Sequence, residues 1–218
     1  AKSYLNIPAI ISAALISGAD AIHPGYGFMS ERADFAEICK EHNIKFIGPS
    51  PESMQLMGDK ATARKTMTAK NVPITPGTGI ITDVEEAKAA AKKFGYPVIV
   101  KATAGGGGKG MRVANNDEEL EQNIVLCRQE AEKFFGNPDV YMEKYLVNPR
   151  HIEVQVVADS FGNVVHLGER DCSIQRRHQK LVEEAPSPAV DEVTRKKLGE
   201  AAVQAAKAAN YEGVGTIE

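Results

Sequence analysis

The sequence predicts an α/β (α+β) chain in which a short parallel layer precedes a larger mixed region. Three observations carry this expectation. Residues 1–50 alternate apolar helical stretches with very short β-branched runs separated by glycine turns, the pattern of a parallel layer. Beyond residue 96, strand-like runs follow one another with tight turns and one long helical stretch between them. The composition is that of a globular chain: 218 residues, 43% hydrophobic and 25% charged, enough for one large domain or two small ones.

Ile7–Ser17 reads as the first helix and Ala21-Ile22 as the first strand, which leads into the turn HPGYGF. Glu31–Glu41 is a second helix with Ser30 as its N-cap, and Lys45-Phe46-Ile47 is a strand closed by Gly48-Pro49. Two strands are too few for a sheet, so this stretch reads as the tail of a layer. PESMQLMGDKATARKTMTAKNVPITPG holds two helical stretches, broken at Gly58-Asp59 and near Val72-Pro73. Thr82 or Asp83 caps the next helix, with Glu85 three residues after Thr82 as in a capping box. That helix continues over Ala87–Phe94 and ends at Gly95-Tyr96-Pro97. Val98-Ile99-Val100 is a β-branched strand, and Met111–Ala114 is a second strand beyond a glycine run. Asp117–Phe135 is a long helix. Val140–Tyr145, His151–Ala158 and Val164–Glu169 are strands, the last two flanking the turn Asp159–Asn163. Val190–Asn210 is a helix with alanines on its inner face, and Gly213–Glu218 begins a strand.

The bulk numbers exclude some functions. A net charge of -3 gives no support to nucleic-acid or membrane-surface binding, so any basic site is local. Cys39, Cys127 and Cys172 form no CxxC pair and no disulfide framework, which fits packing cysteines in a reducing compartment. Lys2, the apolar run Ile7–Ile16 and Ala19-Asp20-Ala21 imitate a secretory signal. The run is too short to span a bilayer and is interrupted by Pro8 and Ser12, so a buried amphipathic helix is the better reading.

The stretch KATAGGGGKGMRV, Lys101 to Val113, carries the chemistry. A Walker A loop anchored on Gly108-Lys109 needs glycine where Thr103 stands, and a hydroxyl where Gly110 stands. Gly105, Gly107 and Gly110 match G-x-G-x-x-G, but a dinucleotide fold needs a helix immediately afterwards, and Met111–Ala114 is extended. What remains is strand, glycine loop, strand: a hairpin tip able to fold over a triphosphate. Successive glycines let backbone N–H groups approach phosphate oxygens without side-chain clash, and Lys101 brings a fixed charge to its root. The plainer alternative is a flexible linker.

HPGYGFMSE, IGPS, MGDK, YPVIVKATAGGGGKGMRV, VYMEKYL, NPRHIEVQVVAD, ERDCSIQRRHQKLVEEAPSP and GVGTIE stand here in the order in which they occur in biotin carboxylases. The resemblance covers the whole chain. These are the ATP-grasp components of acetyl-CoA carboxylase, which serves fatty acid biosynthesis, and of pyruvate and acyl-CoA carboxylases. The resemblance implies an ATP-grasp fold with a glycine-rich lid subdomain at about residues 75–146, within an ATP-grasp domain over 59–218. Residues 1–58 would be the tail of a Rossmann-like N-terminal domain. It implies ATP-dependent carboxylation of biotin by bicarbonate through carboxyphosphate, with Mg2+ or Mn2+.

By the same resemblance Lys60 and Lys101 bind phosphate, and Gly105, Gly106, Gly107 and Gly108 form the lid over it. Glu143, Lys144, Tyr145 and Leu146 form the adenine hinge, and His151, Gln175 and His178 are further nucleotide contacts. Lys180 binds bicarbonate, and Glu218 is the first of two metal-binding glutamates. Implied partners are a biotin carboxyl carrier protein or domain and a carboxyltransferase component, with a homodimer for the full-length protein and no nucleic acid or membrane. The implied location is cytoplasmic, or an organelle stroma or matrix. The family pattern extends beyond both ends of these 218 residues, so the stretch by itself is expected to have little or no carboxylase activity.

Each residue also has a plainer reading. Lys60 stands in a basic helical stretch where a solvated charge is ordinary, and His151 alternates with Ile152 and Val154 as a polar-face residue would. Arg176-Arg177-His178-Gln179-Lys180 fits a solvated loop less well than an anion site, and Glu218 has no claim apart from the resemblance. Two other functions stay open: a different ATP-grasp ligase, such as a carbamoyl-phosphate-forming enzyme, and a non-catalytic nucleotide-binding module.

Overall fold

The computed structural model describes residues 4–104, 110–176 and 179–218. In chain order the elements are α1 (Ile7–Ser17), β1 (Ala21–Ile22), α2 (Ala33–Glu41), β2 (Lys45–Phe46), α3 (Pro51–Gly58), α4 (Lys60–Ala69) and β3 (Gly77–Ile80). Then follow α5 (Val84–Phe94), β4 (Val98–Ala102), β5 (Met111–Ala114), α6 (Asp117–Phe135), β6 (Val140–Lys144) and β7 (Ile152–Ala158). The last are β8 (Val164–Arg176), β9 (Gln179–Glu184), α7 (Glu192–Ala208) and β10 (Gly213–Ile217). They fall into two compact units: residues 1–58, 153–170 and 185–218 in the first, and 59–152 with 171–184 in the second.

In the first unit β1 and β2 pair in parallel, Ala21 opposite Lys45 and Ile22 opposite Phe46. Apolar residues of α1 and α2 close over them, with Ile11, Phe35, Cys39, Ile44 and Phe46 buried together. Pro8 does not break α1. It sits in the first turn, where no intrahelical N–H bond is lost, and Asn6 caps the helix by accepting from the Ala9 N–H at 3.2 Å. The sequence expectation for α2 needs correction. Its N-cap is Arg32 rather than Ser30, and it starts at Ala33. Two turns, Ser30 N–H to Gly27 O and Arg32 N–H to Met29 O, use up the residues that would have formed its first turn.

Elsewhere in this unit β10 runs antiparallel to β7, from Gly213 opposite Ala158 to Ile217 opposite Val154. Ala202 and Ala206 of α7 pack on Val154 and Val156, as the inward alanines of the sequence led one to expect. Asp159 Oδ1 accepts from the N–H groups of Phe161 and Asn163, which tightens the turn between β7 and β8. The charged run of β8 is absorbed by the fold. Arg170 donates to Glu153 Oε1 at 2.6 Å and to Gln155 Oε1 at 2.8 Å, both on β7, and Glu153 is buried.

The second unit is built on an antiparallel sheet in the order β3-β6-β4-β5. Helices α5 and α6 cover one face, burying Ala91, Val98, Val100, Leu120, Ile124, Cys127, Val140 and Met142. Asp83, not Thr82, caps α5, accepting from the Glu85 and Glu86 N–H groups. Two strands went unread in the sequence. β3 carries two glycines in four residues, and β9 is exposed at all six positions, so neither shows the alternation of a half-buried strand. β9 pairs with the distal half of β8, which runs on to Arg176 instead of ending at Glu169.

Candidate functional site

The sheet of the second unit sorts its side chains by alternation. Val98, Val100 and Ala102 of β4 are buried on the helix-covered face. Lys101, between them in the chain, therefore emerges on the opposite face. It belongs to β4 itself, opposite Met111 of β5 and Tyr141 of β6, whereas the apolar run alone ends the strand at Val100. Glu143 of β6, two residues past Tyr141, lies on the same face. Lys101 Nζ is 2.5 Å from Glu143 Oε2.

Helix α4 brings a second cation to this carboxylate. Arg64 Nη1 lies 2.6 Å from Glu143 Oε1, and Nη2 donates to the Thr75 carbonyl at 2.6 Å. Both side chains are largely buried, 17% exposed for Arg64 and 13% for Glu143, so the pair is screened less than a surface one. Lys60 stands one turn before Arg64 on α4, which Asp59 caps. Burial holds the Lys60 ammonium below its ordinary range; repulsion from Lys101 adds to this, and Glu143 offsets part of it. Lys60, which plain sequence reading could have left as a solvated charge, thus senses both Lys101 and the carboxylate that Lys101 pairs with. Tyr141 on the same face keeps its proton, since burial and Glu143 push its hydroxyl up to about 12.

The hairpin of β4 and β5 springs from this face. Val98 pairs with Ala114 and Lys101 with Met111, so the strand–loop–strand expectation holds up to the base of the loop. Gly110 closes that base: the Ala102 N–H donates to its carbonyl at 2.9 Å, and its φ of +67° favours glycine. Thr103 donates its N–H and its hydroxyl to the Asp139 carbonyl. Gly105, Gly106, Gly107 and Gly108 lie outside the described residues, as does His178.

In the segment expected to form the hinge, Glu143–Leu146, β6 ends at Lys144. The Lys144 N–H already donates to Pro76 O at 2.8 Å and the Tyr145 N–H to Pro97 O at 3.1 Å. The Lys144 ammonium is held by the Gly95 and Tyr96 carbonyls. Of the segment Glu143–Leu146, Leu146 is the exposed member, at 53%.

His151, Gln175 and Lys180 belong to the same unit. The His151 N–H donates to Ser173 Oγ, and its carbonyl accepts from the Cys172 N–H at 2.7 Å. The Ser173 hydroxyl in turn donates to Asp171 Oδ1, whose other oxygen faces Arg150. The NPRH and ERDCS motifs are thereby stapled to each other. Gln175 lies opposite Lys180 across the β8–β9 pair, and its side-chain amide donates to the Cys172 carbonyl. Lys180 is exposed, on a paired strand rather than a loop. Glu218 follows β10 in the first unit. Arg64 escaped the sequence reading, because nothing in ATARK separates it from a solvated helix cation; the one available signal was its spacing of four from Lys60.

Residues 59–218 match the family model described as carbamoyl-phosphate synthase L chain, ATP binding domain, and residues 1–54 match the biotin carboxylase N-terminal domain. Biotin carboxylase 1 of Bacillus subtilis is 59% identical over 217 residues, covering 99% of this chain and 48% of the relative. The chloroplastic biotin carboxylase of Arabidopsis thaliana is 56% identical, covering 100% of this chain and 41% of its own length. The crystal structure of a biotin carboxylase–β-γ-ATP complex from Campylobacter jejuni superposes with a TM-score of 0.90 at 60% identity, over 99% of this chain and 49% of that one. The biotin carboxylase domain dimer of Hydrogenobacter thermophilus 2-oxoglutarate carboxylase, solved with MgADP, ADP and bicarbonate, gives 0.86 at 53% identity, over 98% and 47%. The chain spans about half the length of the curated relatives it matches.

Sheet, hairpin and cation cluster together define an ATP-grasp fold. The chain belongs to the biotin carboxylase family.

Proposed function

We propose that the whole protein carboxylates biotin, held on a carrier protein or domain, at the expense of ATP. Bicarbonate oxygen takes the γ-phosphoryl group and ADP leaves; the carboxyphosphate splits into carbon dioxide and phosphate, and the carbon dioxide bonds to the ureido nitrogen, whose proton passes to the released phosphate. The observation that carries this reading is the pairing of Lys101 with Glu143 on the sheet face that α5 and α6 leave uncovered, at the root of the glycine hairpin, with the Lys60 ammonium of α4 electrostatically coupled to both.

Phosphoryl transfer asks a protein for charge neutralisation and positioning more than for covalent chemistry. Lys60 and Lys101 supply fixed charge for the triphosphate, and the glycines Gly105 to Gly108 close over it, excluding water from a labile acyl phosphate. With the Lys144 and Tyr145 N–H groups engaged inside the protein, Leu146 is left to meet the purine edge. His151, Gln175 and His178 contact the nucleotide, and Lys180 holds bicarbonate. Glu218 offers a carboxylate oxygen, a donor suited to Mg2+ or Mn2+; when bound, the ion neutralises phosphate charge.

Residues 1–58 form the end of a Rossmann-like domain, and residues 59–218 belong to the ATP-grasp domain with its lid at about 75–146. A carboxyltransferase component consumes the carboxybiotin, and the full-length protein is a homodimer in the cytoplasm or an organelle stroma. Among the described residues no helix is long and apolar enough to cross a membrane.

The test is ADP release by the full-length protein with MgATP, bicarbonate and free biotin. Release that requires both bicarbonate and biotin supports the reading. The description of the model matched by residues 59–218 favours one second reading, carbamoyl-phosphate formation, and release that requires ammonia instead of biotin would establish it. MgATP binding with no turnover would point to a non-catalytic module.

A further inference from the structure

The two oxygens of Glu143 are divided between two cations from different elements. Lys101 of β4 takes Oε2 at 2.5 Å, and Arg64 of α4 takes Oε1 at 2.6 Å. The same guanidinium reaches the Thr75 carbonyl, in the segment that leads into β3. One planar group thus joins the helix of Lys60, the strand that enters the hinge, and the backbone before the edge strand. A guanidinium does this through fixed, divergent N–H groups, whereas an ammonium is a point charge without that fork.

The electrostatics have a consequence for ligand binding. Lys101 and Glu143 alone would form a neutral pair, leaving Lys60 as the cluster's net charge. With Arg64 bound to the other oxygen, the carboxylate is shared, and the cluster keeps the excess of positive charge a triphosphate needs. Arg64 also fixes the position of the carboxylate against which Lys101 is aligned.

We propose that Arg64 is a positioning residue for nucleotide binding: it pins the Glu143 carboxylate, and through it sets the position and free charge of Lys101 and the course of the hinge strand. It touches no substrate. This rests on the reading of Lys60, Lys101 and Glu143–Leu146 as the nucleotide site.

The experiment compares wild type, Arg64→Met and Arg64→Lys in the full-length protein. MgATP affinity is measured by calorimetry, KM for ATP and for bicarbonate by ADP release, and folding by thermal melting. Arg64→Met should weaken MgATP binding and raise the ATP KM by about tenfold or more, with the bicarbonate KM within about twofold of wild type. Arg64→Lys should recover part of the loss, because it restores charge without the fork. A folded Arg64→Met protein with wild-type MgATP affinity would overturn the proposal. So would equal losses for ATP and bicarbonate, which mark a general structural role. If Arg64→Met does not fold, Arg64→Lys decides: an unchanged ATP KM refutes the role, and a selective rise supports it. Wild-type protein that binds MgATP but shows no biotin-dependent turnover overturns the carboxylase reading while calorimetry still judges Arg64. Failure of wild type to bind MgATP overturns both.

Discussion

The guanidinium of Arg195 on α7 straddles the carboxylate of Glu169 on β8, its Nε lying 2.9 Å from one oxygen and 3.1 Å from the other. The carboxylate is 2% exposed and also accepts from the Ser187 N–H at 3.1 Å. Burial by itself would raise the Glu169 pKa, but the hydrogen bonds from Arg195 and the backbone outweigh it and hold the group below the ordinary glutamate range. A carboxyl group depressed in the folded state contributes stability above its unfolded pKa and loses it as pH falls through the folded one. The melting-temperature advantage of wild type over Glu169→Gln should therefore be full at about pH 6 and shrink towards about pH 3. Arg195→Ala, which strands a buried carboxylate, should lower Tm by more than the Arg195→Ala/Glu169→Gln double variant.

Lys101→Met in the full-length protein removes a charge from the face proposed to bind phosphate, without opening the helix-covered core. ATP affinity should fall by about tenfold or more, while the melting temperature changes little, since Glu143 keeps its bond to Arg64. Calorimetric titration with MgATP checks the first expectation and a thermal melt the second.

Gly77 is the place where β3 and α4 compete for space. A Cβ there would stand 2.6 Å from Arg64 Nη2 and 2.7 Å from the Met142 carbonyl, and the latter cannot swing away. Gly77→Ala should destabilise the protein by about 1–3 kcal/mol through forced backbone shift. It should also weaken ATP binding by displacing Arg64. Urea unfolding and MgATP titration of the same preparation read both effects.

Ile124 lies on α6 with no exposed surface, packed among Leu120, Val98 and Val140. Ile124→Ala should cost about 2–5 kcal/mol, measured by denaturant unfolding.

Cys127 sits in the same core, and burial pushes its thiol up to about 11; Cys39 in the other unit is raised for the same reason. Iodoacetamide at about pH 8 should leave both unmodified in the native protein and label both after unfolding, with peptide mass mapping as the readout.

Much of the local structure was legible in the sequence. α1 and α6 have the bounds that their capping residues imply, Asn6 and Gly18 around α1 and Asn116 and Gly136 around α6, and β5 has the bounds of its extended run between a glycine and an Asn-Asn turn. That two strands flank the glycine stretch was also readable, since Met111–Ala114 directly beyond Gly110 is extended and pairs with β4. What failed lay at edges and charges. β3 and β9 are edge strands without alternation, and the long course of β8 is sustained by Arg170 with Glu153 and by Arg195 with Glu169, pairings between residues far apart in the chain.

By itself the sequence determined the α/β class, the glycine hairpin and the motifs that resemble biotin carboxylases, because each depends on residues that are neighbours in the chain. Only the tertiary structure decided that Arg64 and Lys101 meet on one carboxylate, Glu143, which lies 79 residues beyond Arg64, and that Lys60 feels the charge of both Lys101 and Glu143. The Lys101–Glu143 part follows from strand alternation and sheet order, which bring distant positions onto one face, and the Arg64 contact from α4 adds the rest. A local reading cannot distinguish a lysine on that face from one dissolved in water.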